Sequence, residues 1–274
     1  MTDSRPSSAI QAIVLLAEPP ADMGVVLSAI QPGMGDPLAG TPLLPAFGLT
    51  VNGADLRIGA FGGAVTNDRL RADLSVSPMR EHLDPHVAAH RGAVTLEIAP
   101  PTSGFFGPMV TWANVLAYLV DNLGAKVVWL PQQRTVTTDV LFIGEMERDP
   151  ALVLAGVHAM WLDQAAGTSL AFSAGLHGLG SPEVQIRRSG EPALLYRHLR
   201  LALADCLRAD RLLAVGDVLD VGGVHHEAVD GVSLTSGLPV LELVPAAAPA
   251  PRAEPAQAAA PAEPEKKRRR WPFG

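Results

Sequence analysis

The stretch SLAFSAGLHGLGSPEVQIR, Ser169 to Arg187, decides how the chain is read. Leu170, Phe172 and Ala174 alternate with Ala171, Ser173 and Gly175, the period-two pattern of a strand with a buried face. Val184 and Ile186 alternate with Gln185 and Arg187 in a second, half-buried strand. Between them stand Gly175, Gly178, Gly180 and Pro182. Glycine permits positive φ and proline denies the ladder a donor, so the segment turns. One reading is a hairpin connection within a core sheet; the other is a ligand cradle from which His177 and Glu183 project. Gly-rich turns are far commoner than Gly-rich sites, so the hairpin is the expectation.

Outward from that stretch the chain alternates short strands and helices. Ile10 to Ala17 reads as a strand stopped by Pro19 and Pro20, and Asp22 caps a helix with Val25, Val26 and Ile30 inward, ending near Pro32. Phe47–Val51 and Leu56–Phe61 flank Asn52-Gly53, the strongest short hairpin signal. Asp84-Pro85 has the form of an N-cap and first helical residue, with the helix running to about Arg91. Gly92 closes it, and Ala93–Ile98 is another strand. These pieces spell β-α-β-β-α-β, the ferredoxin-like order. Further on, Pro108–Leu123 is a helix apolar nearly all round. Lys126–Leu130 is a strand, Thr137 or Thr138 caps a helix through Met146, and Val157–Leu162 begins the strand before the central stretch. Glu191-Pro192 opens an amphipathic helix with Leu195, Leu199, Ala202, Leu203 and Cys206 at helical spacing. Ser233–Val244 forms a last hairpin. The expected class is α+β with mixed or antiparallel sheets, the N-terminal half ferredoxin-like.

Residues 1–244 form one globular domain in this reading, divisible into lobes of about 1–104 and 105–244. Of the chain's 274 residues 48% are hydrophobic and 18% charged, enough to build a core. The lone cysteine, Cys206, excludes an intrachain disulfide and a thiolate cluster. No apolar run reaches membrane-spanning length. AIQAIVLLAEPPA lacks the basic start of a signal peptide, so a soluble, cytoplasmic protein is expected. From Pro245 to Gly274 the composition turns to alanine and proline, a disordered tail ending in KKRRRWPFG. That tail carries six basic and three acidic residues, +3, of the chain's net −7; the body therefore carries −10. An acidic body does not suggest a nucleic-acid-binding domain. Lys266, Lys267, Arg268, Arg269, Arg270, Trp271 and Phe273 could dock on an acidic protein groove, and nucleic acid or anionic lipid could bind only there.

Most chemistry is excluded by what is missing. GDPLAGT at Gly35–Thr41 has P-loop glycines without the lysine, and the glycines at 175, 178 and 180 open no helix, so both nucleotide fingerprints fail. His82, His86 and His90 recur every four residues, and His225-His226-Glu227 forms a second cluster. Neither completes a set of three or four convergent ligands, so no metal or other cofactor is assigned. Cys206 lies on an apolar helix face, where a thiol is inert. Ser173 lacks the glycine of a nucleophile elbow. The pairs Glu145/Glu147 and Asp217/Asp220 are ordinary at turns and helix ends. No catalytic residue emerges. The candidate binding residues are His90, Gly175, His177, Gly180, Glu183 and Asp217.

GLHGLGSPEVQI, Gly175–Ile186, resembles the Gly-Leu, Gly and Pro-Glu pattern of a bacterial family catalogued as domain of unknown function 4261, through Gly175, Leu176, Gly180, Pro182 and Glu183. HRGAV at His90–Val94 resembles that family's histidine-bearing strand start, and Gly216-Asp217 its Gly-Asp turn. The chain departs from the pattern at Ala93, where a second histidine is common, and at Gln185, where a glutamate is usual. The resemblance implies a soluble bacterial domain and no particular activity. Two functions are then expected in order: a non-catalytic protein-interaction or regulatory domain with a docking tail, and, as the alternative, a small metal-dependent hydrolase using His90, His177 and Glu183.

Overall fold

The computed structural model describes residues 9–34, 46–99 and 104–246. The first sheet is built on β1 (Ile10–Leu16), whose apolar run IVLL is buried on both faces, as a continuously hydrophobic strand requires. Around it lie β2 (Ala46–Val51), β3 (Ala54–Gly62), β4 (Gly92–Ile98), β5 (Val127–Leu130) and β6 (Thr135–Thr138). Their order is β2-β3-β4-β1-β5-β6, with every pair antiparallel. Asn52 and Gly53, at φ 48° and 76°, make the tight β2–β3 turn that the sequence demands. Helices α1 (Met23–Met34) and α4 (Phe106–Asn122) cover one face through Val26, Ile30, Trp112 and Leu116. On the other face Leu70, Leu74 and Leu83 of α2 (Asp68–Ser75) and α3 (Arg80–Ala89) pack on Ile13, Leu15 and Trp129.

The second sheet contains β7 (Val157–Asp163), β8 (Thr168–Ser173), β9 (Val184–Ser189), β10 (Val218–Asp220), β11 (His225–Val232) and β12 (Pro239–Pro245), in the order β10-β11-β12-β9-β8-β7. All its pairs are antiparallel except β9–β12, which is parallel. Between the sheets lie α4, α5 (Asp139–Arg148), α6 (Pro150–Leu154) and α7 (Pro192–Arg208). One hydrophobic core runs through them, from Leu96 and Leu116 to Phe142, Leu203, Ile186 and Leu241. Two antiparallel or mixed sheets with packed helices make the fold α+β.

Four expectations need correction. The observed order is β-α-β-β-α-α-β, with α2 and α3 where one helix is expected, and a ferredoxin-like sheet inserts β1 between β3 and β4. Here β4 pairs along its length with β3 on one side and β1 on the other, and β5 takes the remaining edge of β1. Because β5 and β6 complete the first sheet, the change from one sheet to the next falls after Thr138, not near residue 104. The third helix begins at Arg80 rather than at Asp84-Pro85; Pro85 lies inside it. The tail expected from Pro245 does not begin there, because β12 runs through Pro245 and Ala246 N donates to the His225 carbonyl; the rest, from Ala247 onward, lies outside the described residues.

Candidate functional site

The two sheets meet at the turn between β5 and β6, Pro131–Arg134. Buried Gln133 is its hub: its side-chain nitrogen donates to the Val153 carbonyl at 3.0 Å, and its own carbonyl accepts from His158 Nε2 at 2.7 Å. Gly156 completes the junction because nothing larger fits; a Cβ there would lie 2.4 Å from the Ala174 carbonyl oxygen and 2.9 Å from Gln133 Cβ. Burial pushes the His158 imidazole below its ordinary range, so it is neutral near pH 7, and its ring stacks on Phe172 at 5.5 Å.

The central stretch packs against this junction as the β8–β9 connection. Gly175 and Gly180, at φ 103° and 83°, bracket a short 3-10 turn over Leu176–Leu179. Glu183 holds it: its carboxylate accepts from Ser173 Oγ at 2.6 Å, Gly175 N at 2.8 Å, His177 N at 3.2 Å and His177 Nδ1 at 2.8 Å. Burial alone would raise the Glu183 carboxyl, but the bonds from His177, Ser173 and Gly175 together outweigh it and hold it below its usual range. The same hydrogen bond raises the His177 imidazole. A histidine oriented by a carboxylate is half of a catalytic apparatus. The other half is not there: Ser173 is 3% exposed, donates its proton to Glu183 and accepts from Val184 N at 2.7 Å. Its proton is committed to Glu183 and its buried oxygen accepts the Val184 amide, so the hydroxyl ties the turn to β9. Glu183 is a loop organiser.

The other proposed site residues are dispersed. His90 is buried at the C-terminus of α3, with Nε2 accepting from Val65 N at 2.7 Å and Nδ1 bonded to the Val87 carbonyl. Its lone pair is used, so it cannot ligate a metal. It also adjoins the Leu16 end of β1, through the Arg91 bond to the Leu16 carbonyl, whereas Gly178 packs on Ile10 at the opposite end. A strand of that length separates them by about 20 Å. The alternative hydrolase of His90, His177 and Glu183 therefore fails on geometry. Asp217 closes a turn by accepting from Ala214 N at 3.0 Å, three strands across the sheet from β9. Among the described residues no group of three or more His, Cys, Asp or Glu could hold a metal ion. Burial raises the Cys206 thiol, as its helix face predicts. The tail candidates, Lys266–Arg270, Trp271 and Phe273, lie outside the described residues.

Sequence reasoning missed a groove of about 800 Å³ between β6 and β7, the adjacent edge strands of the two sheets. Met79, Val136, Phe142, His158, Met160 and Tyr196 line it. Glu145 locks Arg200 in its wall by two bonds of 2.5 and 2.6 Å. The two edges differ. Ser77 Oγ donates to the Val136 carbonyl at 3.0 Å, which caps β6. On β7, Ala174 N donates to the Gly156 carbonyl at 3.0 Å, so ladder bonds fall at alternate positions and the amides of Ala159 and Trp161 face the open edge. Met160 and Leu162 are 49% and 46% exposed. The signal was in the sequence: VHAMWL, Val157–Leu162, carries no lysine, arginine, acid or proline to blunt an edge.

No protein-family profile, no curated protein and no solved structure matches the chain.

Proposed function

We propose that the chain is a non-catalytic protein-interaction domain that receives an extended polypeptide segment along β7. The observation that carries this reading is the open, apolar edge of β7 bordering a groove of about 800 Å³. Strand addition draws its affinity from the unpaired main chain and its specificity from pockets for alternate side chains. The edge supplies the first; the space bounded by Met79, Val136 and Phe142 supplies the second. In this reading the domain works in the cytoplasm and the tail serves as a tether.

The test is selection of peptides from a random display library on the full-length protein, followed by affinity measurement on an Ala159→Pro variant. Proline on an edge strand removes only the outward amide, so the fold survives. Selected peptides should bind the parent and lose at least tenfold in affinity for the variant. Peptides indifferent to the substitution, or none selected at all, overturn the reading.

A further inference from the structure

We propose that the segment Lys266–Phe273 of this same chain docks along β7 and occupies the groove until a partner displaces it. The inference rests on the reading of β7 as a strand-accepting edge and adds its regulation.

Three observations meet here. The first is where the chain leaves the fold. Leu243 of β12 is in register with Ile186, Ile186 with Ala171, and Ala171 with Ala159. β12 therefore ends at Pro245 level with the Trp161–Asp163 end of β7, three strand spacings or about 14 Å away. Nineteen residues, rich in alanine and proline, separate Ala246 from Lys266, and extended they reach about 60 Å. The linker is long enough to bring the segment to β7, and because the contact is intramolecular a weak one suffices.

The second is charge. Exposed Asp163 and Glu191 stand at the end of β7 nearest that exit, where Gly190 bonds back to Gly167. At the other end Arg134 and Arg200 line the groove, already paired with Asp73 and Glu145, so neither carboxylate there is free to compete for the cations. The five cations Lys266–Arg270 therefore sit favourably beside Asp163 and Glu191, and Trp271 and Phe273 follow into the apolar groove. That polarity makes the segment antiparallel to β7.

The third is the chemistry of Trp271-Pro272-Phe273. The residue before a proline is driven to extended backbone, so Trp271 is preset for a strand. In an extended segment Trp271 and Phe273 present their amides to one side and Pro272 to the other. A missing donor on the far side costs nothing when the segment is the outermost strand. It also prevents a further strand from adding.

The test is hydrogen exchange of the β7 amides in the full-length protein and in a Trp271→Ala/Phe273→Ala variant, with urea unfolding of both proteins to show that the fold is equally stable. Ala159 and Trp161 should exchange at least tenfold more slowly in the parent, and a synthetic peptide of residues 262–274 at millimolar concentration should restore protection to the variant. Equal exchange in both proteins overturns the proposal. If display-selected peptides still bind and respond to Ala159→Pro in that case, the edge remains a binding site and only its self-occupancy falls.

Discussion

Removing the carboxylate of Glu183 should loosen the junction between the sheets by an amount the geometry fixes. In Glu183→Ala, the Ser173 hydroxyl and the Gly175 amide lose their acceptor inside a part-buried turn. A stranded buried donor costs about 1–3 kcal/mol, so the two together cost about 3–4 kcal/mol. The His177 ring is 64% exposed, and its contribution, screened by solvent, is below about 1 kcal/mol. Glu183→Gln keeps one carbonyl oxygen for the two backbone amides but turns an NH2 group toward the Ser173 hydroxyl, and should cost about 1–2 kcal/mol. Urea unfolding with linear extrapolation resolves the two variants. The pH dependence carries a matching sign. His177 is raised, so its stabilisation is full below its ordinary 6.5 and fades as pH rises through the folded value. Glu183 is lowered, so its contribution is full above its ordinary 4.5 and fades as pH falls through the folded value. The pair thus stabilises most between those two ordinary values, and in Glu183→Gln the His177 titration, followed by NMR, should return toward 6.5. A cost below about 1 kcal/mol for Glu183→Ala, or equal costs for both variants, would refute the role assigned to this carboxylate.

His158 is held neutral by burial, so stability should fall as pH drops below 6.5, where the unfolded chain takes up a proton that the fold resists. His158→Phe should flatten that part of the stability profile measured by urea titration at several pH values; an unchanged slope refutes the assignment. Gly156→Ala should cost about 3 kcal/mol, since its methyl meets the backbone oxygen of Ala174 at 2.4 Å and nothing flexible can yield. A thermal midpoint within 2 °C of the parent, about 0.5 kcal/mol, would contradict that packing.

Period and punctuation made the long elements legible. The β2–β3 hairpin, the buried helix α4 and the amphipathic helix α7 follow from Asn52-Gly53, an unbroken apolar surface, and leucines at helical spacing. Thr138 caps α5, accepting from Leu141 N at 3.3 Å. The central stretch is the hairpin connection expected of it. What escaped were short or tertiary features. The β6 strand is four residues long and formed by pairing with β5, and α2 reads as a charged run, DRLRADLS, whose Leu70 and Leu74 are buried only against the sheet. Strand order escaped too, because pairing depends on which edges are free once the sheet assembles. The candidate site divided along the same line. Local contacts tie His177 to Glu183, six residues apart, whereas the groove is made by edges whose strands are distant in sequence. Gln185 is matched to its surroundings: its amide donates to the Val232 carbonyl and accepts from Leu234 N, and a glutamate could make only the second bond.

The parallel contact between β9 and β12 sets a timetable for the molecule. β7, β8 and β9 are joined by short connections and can zip together early, and β11 and β12 form their own hairpin. The second sheet is whole only when these two units meet along Leu241–Leu243 and Val184–Ile186, strands separated by some fifty residues that include all of α7. Contacts that close so long a loop form slowly, because its entropy is lost before the pairing rewards it. The same loop-closure cost applies with greater force to β1, which pairs with β4 some eighty residues on and with β5 more than a hundred residues on, so both sheets are sewn together by contacts distant in sequence.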